Sequence, residues 1–500
     1  MAKLDKDLKK IGRIESATLL QGQAIAPAGL AALFLLAVLV ASSLTMAPGP
    51  FSLYVVIGAV IAAYLALNIG ANDVANNMGP AVGGRAMTLG AALALAAVCE
   101  AAGAMIAGGD VVRTVSRGIV APPGDMPAFN FILLMTAAFL AAALWINVAT
   151  MLSAPVSTTH SVVGGVLGAA VAAAGVTVVN WPVVGAIVAS WVISPVLGGV
   201  IAALMLGFIE VSIIQKQDKV AAARRFVPML IGVMAGVFAM YLMLKGLSQL
   251  WVPPDWLILA TGGAVLLGGW AASRPWVEFR ARGLENRRKH ISALFVLPLI
   301  FATGLLSFAH GANDVANAVG PLAAIVAAAE TGEASPVDVP LPFWVLVIGA
   351  IGIALGLLLF GPRLIRMVGQ KITRMDATRA FCVALAAAIT VLIASWLGLP
   401  VSSTHIAIGG VFGVGFLREA ISNSRRGLGR DNVADAMADD TTKLFPPKAP
   451  KPKKREKRKL VRRRHLLTIV SAWVITVPAS AALAAGLYLG MRFVSAPVVL

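Results

Sequence analysis

The chain has 500 residues, of which 59% are hydrophobic and only 13% are charged, and its mean hydropathy is +0.86. These values exclude an ordinary soluble globular protein. The formal net charge is +18, but it is concentrated in loops between apolar stretches, so it indicates membrane topology and no nucleic-acid partner is expected.

Long apolar stretches follow one another along the chain, each able to cross a hydrocarbon core of ~30 Å. They lack the alternation of membrane β-strands and are rich in Ala, Leu and Gly, which favours helices. The sequence therefore predicts an all-α polytopic membrane protein with roughly 11–13 membrane segments. The clearest stretches lie near residues 27–48, 51–69, 87–108, 129–150, 181–209, 226–244, 256–270, 291–309, 342–360, 381–397 and 466–489.

Basic residues between these stretches predict the topology, because Lys and Arg are retained on the cytoplasmic side. Placing every basic segment inside makes the N-terminus cytoplasmic and residues 226–270 a two-span hairpin. The first apolar run has no clear cleavage site, so it is expected to remain as a span of a multi-pass protein of the bacterial cytoplasmic membrane. The basic segments are residues 3–13, 216–225, 274–289, 363–379 and 448–464.

The heptapeptide Gly-Ala-Asn-Asp-Val-Ala-Asn occurs at residues 70–76 and again at residues 311–317, each time inside apolar sequence. One helical turn places its Asn and Asp side chains on neighbouring faces, and their oxygens suit a hard cation such as Na⁺, or a proton on the carboxylate. The alternative is that they cap a broken helix or bond neighbouring helices. The predicted coupling-cation residues are Asn72, Asp73, Asn76, Asn313, Asp314 and Asn317.

A second repeated motif, Pro-Val-Ser-Thr-Thr-His or Pro-Val-Ser-Ser-Thr-His, ends at His160 and at His405. Pro155 and Pro400 suit the first turn of a helix, whose free N–H groups and nearby hydroxyls could bind phosphate or sulfate. The alternative is ordinary N-capping by Ser157 or Ser402. Each histidine could bond an anion, shuttle a proton or orient a neighbour. The predicted phosphate-binding residues are Ser157, Thr158, Thr159, Ser402, Ser403 and Thr404.

The motifs recur in the same order, offset by 241 residues for the first (70 to 311) and 245 for the second (160 to 405). The loop 109–129 is balanced in charge, whereas its counterpart around residues 363–379 is basic. Equivalent loops on opposite sides of the membrane predict inverted-topology repeats with a site at their interface. Residues 51–210 form the first predicted repeat, and residues 291–418 with 466–500 form the second. Residues 1–50 hold the first span, and residues 211–290 link the repeats. Residues 419–465 are a basic insertion, which is expected to be a disordered loop that sets the topology. The alternative is that this insertion binds acidic lipid.

These motifs resemble the PiT-type inorganic phosphate transporters. The resemblance implies re-entrant helical hairpins, a homodimer, and import of phosphate with Na⁺ or H⁺ by alternating access, with sulfate or a related oxyanion as the alternative substrate. It also implies that Asp73, Asn76, Asp314 and Asn317 serve the coupling cation, as a Na⁺ site if the cation is Na⁺, and that Glu100 is a functional glutamate. Glu100, His160 and His405 are the candidates for coupling or gating. Sodium-coupled animal members carry a second glutamate where this chain has Ala384.

Two classes of function other than a carrier are compatible with some of these residues. A Ser/His intramembrane hydrolase could use Ser157 with His160, but one nucleophile suffices for an enzyme, and two inverted copies suit alternating access better. A channel would need a continuous water path. No Walker A loop is present, so the chain is expected to be a secondary transporter with no cofactor and no enzymatic activity.

Overall fold

A computed structural model describes residues 25–46, 48–151, 156–246, 251–334, 340–371, 375–438 and 464–495. These residues form helices and no β-strand. The helices are α1 (Ile25–Thr45), α2 (Ser52–Gly83), α3 (Leu89–Ala107), α4 (Gly109–Arg113), α5 (Ala128–Met151), α6 (Thr158–Ala174), α7 (Trp181–Ile209), α8 (Lys219–Lys245), α9 (Asp255–Ala281), α10 (Arg288–Ile291), α11 (Val296–Thr331), α12 (Phe343–Lys371), α13 (Ala377–Trp396), α14 (Ser403–Ala438) and α15 (Arg464–Ser495).

Eleven helices within the described residues are long and apolar enough to cross a membrane, which confirms the multi-pass prediction. Helix α6 is apolar but has only 17 residues. Helices α8 and α9 pack against each other as the predicted two-span hairpin. The N-terminal residues 1–24 and most of the basic segment 448–464 lie outside the described residues, so their predicted placement stays a prediction.

Two boundaries differ from the sequence-based expectation. Helix α14 continues to Ala438, so the stretch assigned to a disordered insertion is helical over residues 419–438. The prediction that Pro400 lies in the first turn of a helix is wrong, because α14 begins three residues later at Ser403. The chain needs these residues to turn between α13 and α14, and Gly398 adopts the left-handed conformation there with φ of +68°. Residue 155 lies outside the described residues.

Glycines at helix contacts reveal how the two repeats pack together. A Cβ added to Gly103 in α3 would collide with the Phe308 carbonyl in α11. A Cβ added to Gly356 in α12 would collide in the same way with the Leu67 carbonyl in α2. Phe308 and Leu67 are related by the 241-residue offset of the first motif, so the two contacts are equivalent. Each motif-bearing helix therefore packs closely against a helix of the other repeat.

The direction of these contacts confirms that the repeats are inverted. Along α11 and α3, Gly304 lies beside Leu95, and further on Val315 lies beside Gly108, so the two helices run parallel. Helix α3 itself follows α2 after the short turn 84–88, and the end of α2 shares a cluster with the start of α3, as in an antiparallel hairpin. Helices α2 and α11 therefore run in opposite directions.

The Ser/Thr motifs lie in helical hairpins, and each hairpin also packs against a helix of the other repeat. A Cβ at Gly164 in α6 would press on Val477 in α15, and one at the equivalent Gly409 in α14 would press on Pro195 in α7. The loop before α14 ends deep in the bundle, where Val401 is fully buried. Both motif types consequently meet near the middle of α2 and α11.

The close approach of α3 to α11 can be tested by adding one methyl group. We expect Gly103→Ala to lower the thermal unfolding midpoint in detergent, because overpacking against a backbone carbonyl costs about 1–3 kcal/mol. Gly90→Ala in the same helix is the control, since nothing lies within 4 Å of a Cβ at that position. Equal midpoints for the two variants would contradict this packing.

Candidate functional site

The two repeated aspartates meet at one histidine. His310 Nε2 lies 2.7 Å from Asp314 Oδ2 on the next turn of α11 and 3.7 Å from Asp73 Oδ2 on α2. All three side chains are buried. Their ligand atoms lie within 4.8 Å of one another, close enough to share one metal ion. The site therefore joins both copies of the first motif, as the sequence predicts.

Glu100 lies beside the other ring nitrogen of the same imidazole. Its Oε2 lies 3.3 Å from His310 Nδ1, and its Oε1 accepts a hydrogen bond of 2.9 Å from Asn77 Nδ2. Both partners are buried. Three carboxylates thus surround one imidazole. With all three carboxylates ionised, the cluster would carry a net charge of −2 beside a protonated His310 and −3 beside a neutral one.

His310 and Asn77 were missed by the sequence analysis, although both flank the repeated heptapeptide. His310 immediately precedes the second copy, and Asn77 immediately follows the first. A lone histidine within an apolar span, in a chain with five histidines in all, was the available signal. It was overlooked because the first copy has Ile69 at that place.

The Glu100–His310 contact breaks the twofold symmetry of the bundle. A Cβ at Gly311 would collide with the Glu100 carbonyl, and one at the equivalent Gly70 would collide with the Ile353 carbonyl. Ile353 is therefore the counterpart of Glu100, as Ile69 is of His310. Ala384, where animal relatives are expected to carry a second glutamate, is buried in α13.

The serines that begin the second motif are helix N-caps. Ser157 Oγ accepts from the His160 backbone N–H at 3.3 Å, and Ser402 Oγ accepts from the His405 backbone N–H at 3.4 Å. The capping alternative thus describes their geometry. Because each serine oxygen acts as an acceptor in its cap, the hydroxyl hydrogen can still be donated to another group. Ser403 is buried, and no hydrogen-bond partner of its Oγ is found among the described residues.

Residues 157–159 and residues 402–404 are here called the two cradles. One threonine of each cradle accepts a hydrogen bond from the motif-bearing helix of the other repeat. Asn76 Nδ2 donates to Thr404 Oγ1 at 2.8 Å, and Asn317 Nδ2 donates to Thr159 Oγ1 at 2.9 Å. The two bonds are equivalent under the repeat. They show that the predicted cation and anion residues belong to one centre.

Asp73 receives hydroxyl groups from both cradles. Thr404 Oγ1 donates to its Oδ1 at 3.1 Å, and Thr158 Oγ1 lies 3.4 Å from its Oδ2. Asp314 has no equivalent bond from Thr159, whose hydroxyl donates instead to the Val401 carbonyl at 3.0 Å. The oxygens of Asp314 have other partners: His310 Nε2 lies beside Oδ2, and Asn317 Nδ2 donates to Oδ1 at 3.3 Å.

The first asparagines of the two heptapeptides have different partners. Asn72, which is half-buried, donates to Asp73 Oδ1 at 3.0 Å. Asn313 is fully buried and bonds the loop between α13 and α14. Asn76 and Asn317 end the two heptapeptides. The Oδ1 of Asn317 is buried, and no hydrogen-bond partner for it is found among the described residues.

His160 and His405 lie side by side where the two cradles meet. Their ring centroids are 5.1 Å apart, and the His160 ring packs edge-on against Trp191 at 3.9 Å. Both are buried. This arrangement brings the N-termini of α6 and α14 together, so their backbone dipoles favour an anion in the same region.

Comparison with known proteins agrees with this architecture. Residues 69–484 match the model of the phosphate transporter family. A Helicobacter pylori protein called "Putative phosphate permease" is 44% identical over 98% of this chain and 99% of its own length. A Thermococcus kodakarensis protein of similar name is 36% identical over 75% of this chain and 90% of its own.

A solved structure described as "The sodium-dependent phosphate transporter" superposes with a TM-score of 0.76 at 34% identity, covering 88% of this chain and 99% of that one. These proteins are transporters and not enzymes. The chain belongs to the phosphate transporter family.

Proposed function

We propose that the protein imports inorganic phosphate across the cytoplasmic membrane together with Na⁺, by alternating access between its inverted repeats. The single observation that carries the proposal is the excess of buried carboxylate in direct contact with hydroxyl-bearing helix N-termini. The cation site comprises Asp73, Asn76, Asp314 and Asn317, with Asn72 beside it and Glu100 as a coupling residue. The phosphate site comprises Ser157, Thr158, Thr159, Ser402, Ser403 and Thr404.

The charge of the centre is the first argument for symport. Ionising all three carboxylates inside an apolar bundle is strongly unfavourable unless cations neutralise the charge. Adding a phosphate anion increases the negative charge further. Cations must therefore accompany the anion into the site, and anion binding alone would be opposed.

The hydroxyl bonds of Asp73 suggest how one ion prepares the site for the other. Thr158 and Thr404 donate to Asp73, yet they are also the donors that a phosphate oxygen needs. A cation bound at Asp73 neutralises this acceptor and weakens its hold on the two hydroxyls. Phosphate can then accept them, so cation binding raises phosphate affinity.

Sodium is favoured over the proton by two observations. The oxygens of Asp73, Asp314 and Asn317 are hard donors, and Asn317 Oδ1 is buried without a hydrogen-bond partner among the described residues. The structural relative is described as sodium-dependent. His310 could carry a proton instead, so H⁺ coupling is the second candidate. We further propose that the basic loops lie on the cytoplasmic side of the membrane and that the protein is a homodimer.

Uptake into proteoliposomes tests the function directly. We expect concentrative uptake of labelled phosphate driven by an inward Na⁺ gradient, with little inhibition by excess sulfate. Raising Na⁺ should lower the phosphate half-saturation constant, because coupling between two sites is reciprocal. Uptake that follows an imposed H⁺ gradient without Na⁺ would identify the proton instead. Purely downhill flux would contradict symport, and strong competition by sulfate would favour that anion.

Loss of either carboxylate should abolish coupled transport. We expect Asp73→Asn and Asp314→Asn to reduce Na⁺-driven uptake to background, because an amide removes the charge that binds the cation. Asp125→Asn is the matched control, since Asp125 lies exposed in the loop before α5. Full uptake by both variants, inserted at wild-type level, would refute the cation assignment.

The threonine that bridges the two motifs should set the affinity for phosphate. Thr404→Val removes the hydroxyl bonded to Asp73, and we expect the phosphate half-saturation constant to rise about tenfold or more, since a bond to a charged group is worth ~1.5–3 kcal/mol. Thr404→Ser keeps the hydroxyl and should remain near wild type. An unchanged constant in the valine variant would count against the cradle.

A further inference from the structure

The loop between α13 and α14 is held by side chains from three other helices. Residues 399–401, here called the tip, are not helical, so their backbone polar groups need outside partners. The carbonyl groups of Leu399, Pro400 and Val401 and the N–H of Val401 all find such partners within the bundle. The bonds are supplied by side chains of α11, α7 and α6.

Asn313 supplies the largest share of this support. Its Nδ2 donates to the Leu399 carbonyl at 3.0 Å and to Ser395 Oγ at 3.1 Å, while its Oδ1 accepts from the Val401 N–H at 3.0 Å. The amide oxygen, the atom that would ligate a cation, is therefore already used by the tip. Buried groups bonded at both ends hold their neighbours firmly in place.

Trp191 supplies the bond that crosses from the first repeat. Its Nε1–H donates to the Pro400 carbonyl at 3.1 Å, and its ring packs against His160 at the start of the other hairpin. Thr159 adds a further bond, to the Val401 carbonyl. The tip of the second hairpin is thus tied to the first hairpin as well as to α11.

The tip leads directly into the residues that contact Asp73. Helix α14 begins at Ser403, two residues after Val401, and Thr404 donates to Asp73 at 3.1 Å. A shift of the tip would carry that hydroxyl out of reach. We propose that Asn313 and Trp191 are positioning residues that fix the tip and thereby hold the second cradle ready for phosphate. This inference rests on the proposed function and assigns Asn313 to support instead of cation binding.

Transport kinetics provide one test, with Trp191→Phe and Asn313→Leu compared with Trp181→Phe. Trp181 is a fitting control because its indole also donates to a backbone carbonyl, that of Val176 at 3.0 Å, but at an exposed site. We expect the phosphate half-saturation constant to rise about fivefold in Trp191→Phe, the effect of one hydrogen bond, and further in Asn313→Leu. At saturating phosphate, the maximal rate and the Na⁺ half-saturation constant should stay within about twofold, the scatter of such effects.

Thiol labelling tests the tip without relying on transport. In a background with Cys99→Ala and Cys382→Ala, Leu399→Cys places a thiol on the tip. We expect Trp191→Phe and Asn313→Leu to speed its reaction with a maleimide severalfold, whereas Trp181→Phe should leave the rate unchanged. Because labelling needs no substrate, it remains informative even if wild-type protein fails to take up phosphate, a result that would refute the proposed function alone.

Two outcomes would overturn the positioning role. An unchanged labelling rate in both variants would mean that the tip does not depend on these side chains. A raised Na⁺ half-saturation constant in Asn313→Leu, with labelling unchanged, would return Asn313 to the cation site. The double variant adds a check, because two side chains holding one tip should give less than the product of their separate effects.

Discussion

Keeping three carboxylates inside an apolar bundle is the constraint on which the rest of this structure depends. An unpaired buried charge costs several kcal/mol, so each acid must find partners within reach. His310 is the common partner of Asp73, Glu100 and Asp314. That meeting is possible because Gly311 lets α11 lie against the backbone of α3 at Glu100, where any Cβ would collide. The glycine of the heptapeptide thus sets a backbone distance, while its acids and amides supply the chemistry.

The fold is twofold symmetric, but the chemistry at its centre is not. Equivalent glycine contacts and the crossed bonds Asn76–Thr404 and Asn317–Thr159 follow the repeat. The pair Glu100–His310 does not, since Ile69 and Ile353 occupy the equivalent places. The two aspartates therefore have different surroundings: Asp314 contacts the His310 imidazole and the Asn317 amide, whereas Asp73 accepts from two threonine hydroxyls and the Asn72 amide. A transporter that binds two kinds of ion can use such inequivalent acids for separate tasks.

Much of this architecture was predictable because its causes are local. Apolar length predicts spans, the charge of loops predicts their sides, and repeated polar motifs predict a duplicated site. The misplaced helix start has a non-local cause. Pro400 suits a helix start by its own geometry, but its carbonyl is bound by Trp191, more than two hundred residues earlier in the chain. No property of residues near Pro400 indicates that bond.

Composition, loop charge and repetition along the chain are enough to predict the class of protein, the inverted repeats and most residues of the candidate site. Which side chains meet depends instead on tertiary packing: Glu100 reaches His310, Asp73 accepts hydroxyls from both cradles, and Asn313 bonds a loop. These choices depend on backbone approach between helices far apart in sequence. Packing in three dimensions sets that approach, and periodicity along the chain carries no record of it.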